Sequence, residues 1–327
     1  MKYRKLGRTG LEVSEVSFGT WAIGGDWGTS KDEDALKSLQ LAIGEGVNFF
    51  DTADVYGGGH AEELLAKATK GRHDDVHIAT KFCRAGNIHD ADNYSEKAVR
   101  AYCEQSLKRL QREAIDLYQV HCAPFEVLKQ GAVFEVLDKL KDEGKIRHYG
   151  VSVETVEEGL HCLSVPGVEA LQIIFNLFRQ QAVEQLLPLA AEKDAGILVR
   201  LPLASGLLTG KFSKSSQFEA NDHRNFNANG EQFNVGETFA GLPFAKGVEL
   251  AEQLSWIAEG RHSMARASMR WILDQPQVSC VIPGFKNTDQ VLDNLGTLDV
   301  PSFSDDELKK LYHFYRQEVV PHVRGEI

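Results

Sequence analysis

Four side chains suited to acid–base chemistry lie within the first 121 residues, each at or just beyond the end of a short apolar run. Asp51 closes Val47-Asn48-Phe49-Phe50, Lys81 follows His77-Ile78-Ala79-Thr80, and His121 ends the run from Ile115 to Val120. Tyr56 stands five residues past Asp51, at the head of Tyr56-Gly57-Gly58-Gly59. A tyrosine in water titrates near pH ~10, too high for ready proton donation at neutral pH. A lysine ammonium within about 4–6 Å stabilises the phenolate and lowers that value. An aspartate beside the lysine keeps it charged and fixed, and a histidine alongside orients a carbonyl by hydrogen bonding. Together the set makes a general acid for the alkoxide left by nucleophilic addition to a carbonyl. Taken singly, each has an ordinary structural role: Asp51 a cap, Lys81 an ion pair, His121 a core imidazole, Tyr56 packing. Their joint appearance at strand ends shifts the balance.

The elements that must position them alternate. Strand patterns fall at Val16–Phe18, Val47–Asp51, His77–Thr80, Ile115–His121, Ile146–Ser152, Ala170–Asn176, Ile197–Leu201 and Ser279–Ile282. Helical periodicity follows each through the sixth, at about 30–45, 60–68, 95–110, 127–143, to 163 and to 193, and again at 287–296 after the eighth. Eight βα units predict a closed parallel barrel, and in a (β/α)8 barrel reactive side chains stand at the carboxyl ends of strands. An open doubly wound sheet is the alternative. The chain after the first strand, Gly19-Thr20-Trp21-Ala22-Ile23-Gly24-Gly25, lacks the glycine fingerprint such a sheet would carry. The expected fold is therefore α/β, a TIM barrel forming one domain over residues 1–327. It carries an N-terminal β-hairpin around Lys5–Val13, a long loop over 203–241 after the seventh strand, and extra helices near 244–260, 263–273 and 304–318. Ser30-Lys31-Asp32-Glu33 and Ser304-Asp305-Asp306-Glu307 both read as capping boxes.

Several segments resemble the signatures of the aldo-keto reductases, over almost the whole chain. They are Phe18-Gly19-Thr20, Asp51-Thr52-Ala53-Asp54-Val55-Tyr56-Gly57, Ala79-Thr80-Lys81, Asp116 to His121, Lys145 to Ser152, Pro202 to Lys211, and Val281-Ile282-Pro283-Gly284. The resemblance implies Tyr56 as acid/base, Asp51 and Lys81 tuning it, His121 orienting the carbonyl of a small aldehyde or ketone, and hydride supplied by a nicotinamide. It implies that Ser152 and Gln172 hold the carboxamide, with Gly19, Thr20 and Trp21 nearby. Pro202, Leu203, Ser205, Leu207 and Lys211 would fold over the pyrophosphate. Gly284, Lys286, Gln290, Asp293 and Asn294 would hold the adenosine phosphate, where helix amino termini favour anions. NADPH is expected in preference to NADH, through Lys286.

Three departures stand out. Cys122-Ala123-Pro124-Phe125 replaces the usual wall after the histidine. Gln290 stands where many relatives have an arginine for the 2′-phosphate. Arg200 stands where an aromatic usually lies under the nicotinamide. A guanidinium there either stacks on the ring and disfavours its cationic oxidised form, or pairs with an acidic side chain. Substrate choice is expected in Ala22–Thr29, Phe82–Tyr94, Cys122–Phe125 and 203–241, with Trp21, Trp27, Phe82 and Phe125 as candidate pocket aromatics.

Other chemistries fit less well. A Schiff-base aldolase would need neutral Lys81, which Asp51 opposes. A non-catalytic channel-partner barrel would not need all four residues. Gly206 to Phe212 is one residue too short for a P-loop and lacks the Ser/Thr. No H-E-x-x-H occurs, and adjacent His121 and Cys122 cannot share one strand face, so no metal site is expected.

Composition is that of an ordinary globular protein, at 43% hydrophobic and 25% charged residues. The net charge of −11 argues against nucleic acid and anionic membranes as partners. Five scattered cysteines (Cys83, Cys103, Cys122, Cys162, Cys280) without a CxxC pair read as a reduced chain. The amino terminus lacks the apolar core of a signal peptide and no run approaches ~18 apolar residues, so a cytoplasmic protein is expected. The oligomeric state is left open.

Overall fold

The computed structural model describes residues 1–25, 27, 28 and 30–326. Asp26 and Thr29, inside the expected specificity segment Ala22–Thr29, lie outside the described residues. An antiparallel hairpin opens the chain, β1 (Tyr3–Lys5) against β2 (Glu12–Ser14). Its tip is pressed onto the barrel floor. Gly7 has φ +50°, and a Cβ there would stand 2.3 Å from the backbone of Gly196, so only glycine fits.

Among the described residues eight parallel strands follow: β3 (Phe18–Gly19), β4 (Phe49–Asp51), β5 (His77–Phe82), β6 (Ile115–His121), β7 (Ile146–Ser152), β8 (Ala170–Ile174), β9 (Gly196–Arg200) and β10 (Cys280–Val281). Each pairs with the next in chain order. Parallel bridges Val16↔Val281 and Gly19↔Gly284 close β10 onto β3. The bonds Ser17 N to Val281 O at 2.9 Å and Gly19 N to Pro283 O at 3.1 Å seal that seam. Ridges of Phe49, Ala79, Leu117, Ala170, Leu198 and Cys280 fill the interior, with Leu6 and Val13 of the hairpin as its plug. A larger apolar layer lies between strands and helices.

Register explains which side chains meet. Lys81 pairs with Gln119, His121 with Ser152, Ser152 with Gln172 and Gln172 with Leu198. Side chains two apart on a strand share a face. Asp51, Lys81, Gln119, His121, Gln172 and Arg200 therefore all stand on the interior face, near the carboxyl ends. Three strands then exit through left-handed residues, Cys83 (φ 88°), Cys122 (φ 51°) and Leu201 (φ 52°). Each costs roughly 1–2 kcal/mol for an L-residue, and each adjoins a side chain of the mouth.

The helices differ from expectation in three places. The box at Ser30 does not form: the helix starts at Asp32, Lys31 precedes it without a side-chain cap, and the Ser30 hydroxyl turns to the Ile23 carbonyl. The expected 127–143 helix is two, Phe125–Gln130 and Ala132–Asp142, divided at Gly131 with φ 78°. The helix from Phe244 ends at Gln253 and a short turn, Ser255–Ala258, completes the stretch. Ser304 does cap its helix, reciprocally with Glu307. The 203–241 segment contains only short helical pieces, among them Ala204–Thr209 and His223–Phe226. An aromatic cluster of Phe212, Phe218, Phe239 and Phe244 secures it. Among the described residues no helix is long and apolar enough to cross a membrane.

Candidate active site

A cavity of about 780 Å³ opens at the carboxyl ends of the strands, with Asp51, Tyr56 and His121 in its wall. Lys81 lies fully buried behind them. Its Nζ donates to Asp51 Oδ1 at 2.5 Å, to the Thr52 carbonyl at 2.7 Å and to the Tyr56 hydroxyl at 3.1 Å. An ammonium has three donors, so all are spent. The other oxygen of Asp51 accepts from Gln172 at 2.7 Å and Gln119 at 3.2 Å. A charge pair this deep needs such saturation to offset its desolvation.

Tyr56 is aimed by glycines. Gly57 has φ +60° and approaches the Gly24 carbonyl so closely that a Cβ would stand 2.3 Å from it. That contact brings Trp21 over the Tyr56 ring, 6.0 Å between centroids at 17°. Burial raises the Tyr56 pKa, and the lowering by Lys81 and then Arg200 does not fully cancel it. The net direction is upward, contrary to a lysine effect taken alone. Burial works against the charge of Lys81, but Asp51 and Tyr56 hold its pKa above the ordinary value. His121 goes the other way: burial, then Arg84, Lys81 and Arg200 hold it well below the usual imidazole value. It is a neutral ring, 5.9 Å from Tyr56 and nearly perpendicular to it, and its Nδ1 has no partner among the described residues.

Beside His121 lies a charged cluster that residue types and spacing did not disclose. Glu237, carried by the long loop, accepts from Arg84 at 2.6 and 3.2 Å and from Arg200 at 3.1 Å. Arg200 also reaches Cys122 Sγ at 3.4 Å and the Val153 carbonyl at 3.3 Å. Glu154 stands 3.6 Å from Arg84 and accepts from Asn234 at 2.8 Å. Burial pushes both carboxyls up. In Glu237 the two arginines overcome this and hold it well below the carboxylate range, whereas Glu154, facing Glu237, rises to about 7. Arg200 thus pairs with an acid while still facing the cavity.

Gly19, Trp21, Gln172, Arg200, Pro202, Leu203, Ser205, Lys211, Gly284, Lys286, Gln290, Asp293 and Asn294 all line the cavity. Thr20, Ser152 and Leu207 stand outside its wall: Thr20 is bound to the Asp51 carbonyl, Ser152 lies 3.5 Å from Cys122 Sγ, and Leu207 faces the helix at Phe244–Gln253. Trp21 and Trp27 line the cavity as expected. Phe82 does not; it stacks on Tyr118 in the core. Phe125 packs on His161 instead. Phe233 and Arg224, both from the long loop, take their places in the lining. Their types gave no signal beyond lying in a long polar loop after a barrel strand.

The far end of the cavity is cationic. Lys211 and Lys286 line it, while the lining residues Arg224 and Asp293 are paired with Asp222 and Arg266. Lys286 donates to the Trp27 carbonyl, and its backbone N–H donates to Gln290 Oε1 at 2.7 Å. The Asn287 side chain caps the helix Thr288–Leu295. An elongated site with a carbonyl-handling end and a cationic end suits a phosphate-bearing dinucleotide.

Comparison with known proteins agrees with this geometry. The Aldo/keto reductase family model matches residues 15–316. The chain is 34% identical to "Aldo-keto reductase YhdN" of Bacillus subtilis (strain 168), over 89% of this chain and 87% of that protein. It is 31% identical to a "Probable voltage-gated potassium channel subunit beta" of Oryza sativa subsp. japonica, over 92% of each. Among solved structures it is similar to the glycerol dehydrogenase AKR11B4 from Gluconobacter oxydans. The TM-score is 0.79 at 29% identity, covering 99% of this chain and 98% of that one.

Proposed function

The chain belongs to the aldo/keto reductase family, whose members are NAD(P)H-dependent oxidoreductases acting on carbonyl and alcohol groups, and from that premise we propose that it reduces a small aldehyde or ketone with NADPH, with Tyr56 as general acid. The observation that carries this reading is the Lys81 ammonium, shared between Asp51 at 2.5 Å and the Tyr56 hydroxyl at 3.1 Å. When bound, the nicotinamide supplies the hydride.

The chain's own residues supply the rest. The cavity wall excludes water on the tetrad side. Neutral His121 donates to the carbonyl oxygen without competing for the proton. Tyr56, whose burial keeps it protonated at neutral pH, delivers its hydroxyl proton to the nascent alkoxide, a far stronger base than a phenolate. Lys81 then stabilises the phenolate and Asp51 keeps Lys81 charged. The saturated, charged Lys81 has no lone pair to offer, which disfavours the aldolase reading. Lys211, Arg224 and Lys286 hold the phosphates, and Lys286 is the cation for the 2′-phosphate.

A screen of NADPH oxidation across aldehydes, ketones and sugars tests the reading. Glycerol belongs in the reverse direction, because the similar solved structure is a glycerol dehydrogenase. Turnover lost in Tyr56→Phe supports it. No turnover with any carbonyl, although NADPH binds, refutes it.

A further inference from the structure

We propose that Glu237 is a positioning residue that sets the relative affinity for the two redox forms of the cofactor, by cancelling the charge of Arg200 at the reacting end of the cavity. The inference rests on the nicotinamide reading above. Any ring that delivers hydride to a carbonyl held by Tyr56 and His121 must lie against the wall those residues share. Arg200 belongs to that wall: its Nη2 touches Cys122 Sγ, one residue past His121, and the Val153 carbonyl, one past Ser152.

Charges near the tetrad balance without Arg200. Lys81 is matched by Asp51, and His121 is neutral. What remains is Arg84 and Arg200, with the buried Arg179 beside them, against Glu237 and Glu154. Glu237 is the central anion, with one oxygen shared between both guanidiniums and the other on Arg84. It is buried, at 2% exposure, so water does little of this neutralisation.

Oxidised nicotinamide is cationic and the reduced ring is neutral. A bare guanidinium on this wall therefore penalises the oxidised form alone. With Glu237 in place the pair presents a dipole, and the protein distinguishes the two forms only weakly. A carboxylate on the long loop thus governs release of the oxidised product through Arg200.

The test is titration of NADPH and NADP⁺ against the wild-type protein and three variants, E237Q, R200M and the double variant E154Q/E237Q. Glu154 can ionise in place of Glu237, so E237Q shows part of the effect and the double variant all of it. The expected rise in the ratio of dissociation constants, oxidised over reduced, is about ten-fold in the double variant. R200M leaves Glu237 with Arg84 only and should lower the ratio below the wild-type value. A purely structural salt bridge would weaken both forms together, so an unchanged ratio in all three overturns the proposal. If the Glu237 variants do not fold, R200M decides alone: a lowered ratio supports, an unchanged one overturns. Failure of the wild-type protein to bind either form would instead remove the reductase reading itself.

Discussion

Asp51, Lys81 and His121 stand on strands β4, β5 and β6, with Tyr56 in the turn after β4; in the charged cluster only Arg200 stands on a strand, at the end of β9, while Arg84 and Glu154 lie just past β5 and β7 and Glu237 comes from the long loop. Asp51, Lys81 and His121 are fixed by strand register, and Tyr56 by a glycine turn that admits one path. Arg84, Glu154 and Glu237 come from three separate loops and hold one another. The bond from Arg84 to Glu237 spans 153 residues of sequence. The first arrangement is set by strand register and one close-packed turn. The second depends on loops finding each other, which suits a surface that must admit and release a large cofactor.

If the strand side carries the chemistry, removing one hydroxyl from it should have the largest effect. Tyr56→Phe is expected to lower kcat for carbonyl reduction by about 10²–10⁴ while leaving the NADPH dissociation constant within two-fold. Retention of more than about half of the turnover, where chemistry limits the rate, would break the comparison at its base.

The loop side should show itself in binding rather than in chemistry. Lys286→Ala is expected to raise the NADPH dissociation constant about ten-fold or more, the worth of one hydrogen bond to a charged group, and to leave NADH nearly unchanged. Arg224→Ala is the sharpening control. An NADPH-selective loss in that variant, with none in Lys286→Ala, would move 2′-phosphate recognition from the β10 end onto the long loop.

The two sides should also differ in their response to pH. His121 is held well below the imidazole value, so kcat should show no inflection near pH 6.5. Glu154 is raised from 4.5 to about 7. A carboxyl with a raised folded pKa binds more protons folded than unfolded between those two values. It stabilises the fold below the unfolded value, and that contribution is lost as pH rises toward about 7. Replacing Glu154 by Gln should flatten the decline in unfolding free energy over that window, by about 3 kcal/mol at most. An equal slope in both proteins would show that Glu154 does not titrate there.

Legibility in the sequence followed the same division. The barrel and the convergence of Asp51, Tyr56, Lys81 and His121 could be read because strand ends convert position directly into direction, whereas the rest of the cavity lining was legible only through the family resemblance. Arg200 drew notice only as a departure, and its partner could not be named: a glutamate 37 residues on is one of many in a polar loop. Phe82 and Phe125 were misplaced for a related reason. Phe82 ends a strand with its ring outward on Tyr118, where parity, carefully applied from Lys81, sends it into the core. The upward net shift of Tyr56 was hidden as well, because sequence names the nearby lysine but not the depth of burial.

Two identical-looking motifs give the smallest and cleanest contrast. Ser30 and Ser304 are each followed three residues later by a glutamate, at the start of a helix. At Ser304 the box closes: its backbone N–H donates to Glu307 Oε2 at 2.7 Å, and the Glu307 N–H returns to the serine hydroxyl at 3.4 Å. At Ser30 the serine belongs to the segment over the cavity, and its hydroxyl is turned toward the Ile23 carbonyl. The helix there begins one residue later than a box would require, with Asp32, Glu33 and Asp34 meeting the macrodipole directly. Ser304→Ala should therefore cost about 0.5–1 kcal/mol by denaturant unfolding, as a lost N-cap does. Ser30→Ala should cost a few tenths at most, because no helix bond is lost. Neither should change kcat. Equal costs would mean that Ser30 caps its helix after all, and that local sequence prevails even where the chain must cover the mouth.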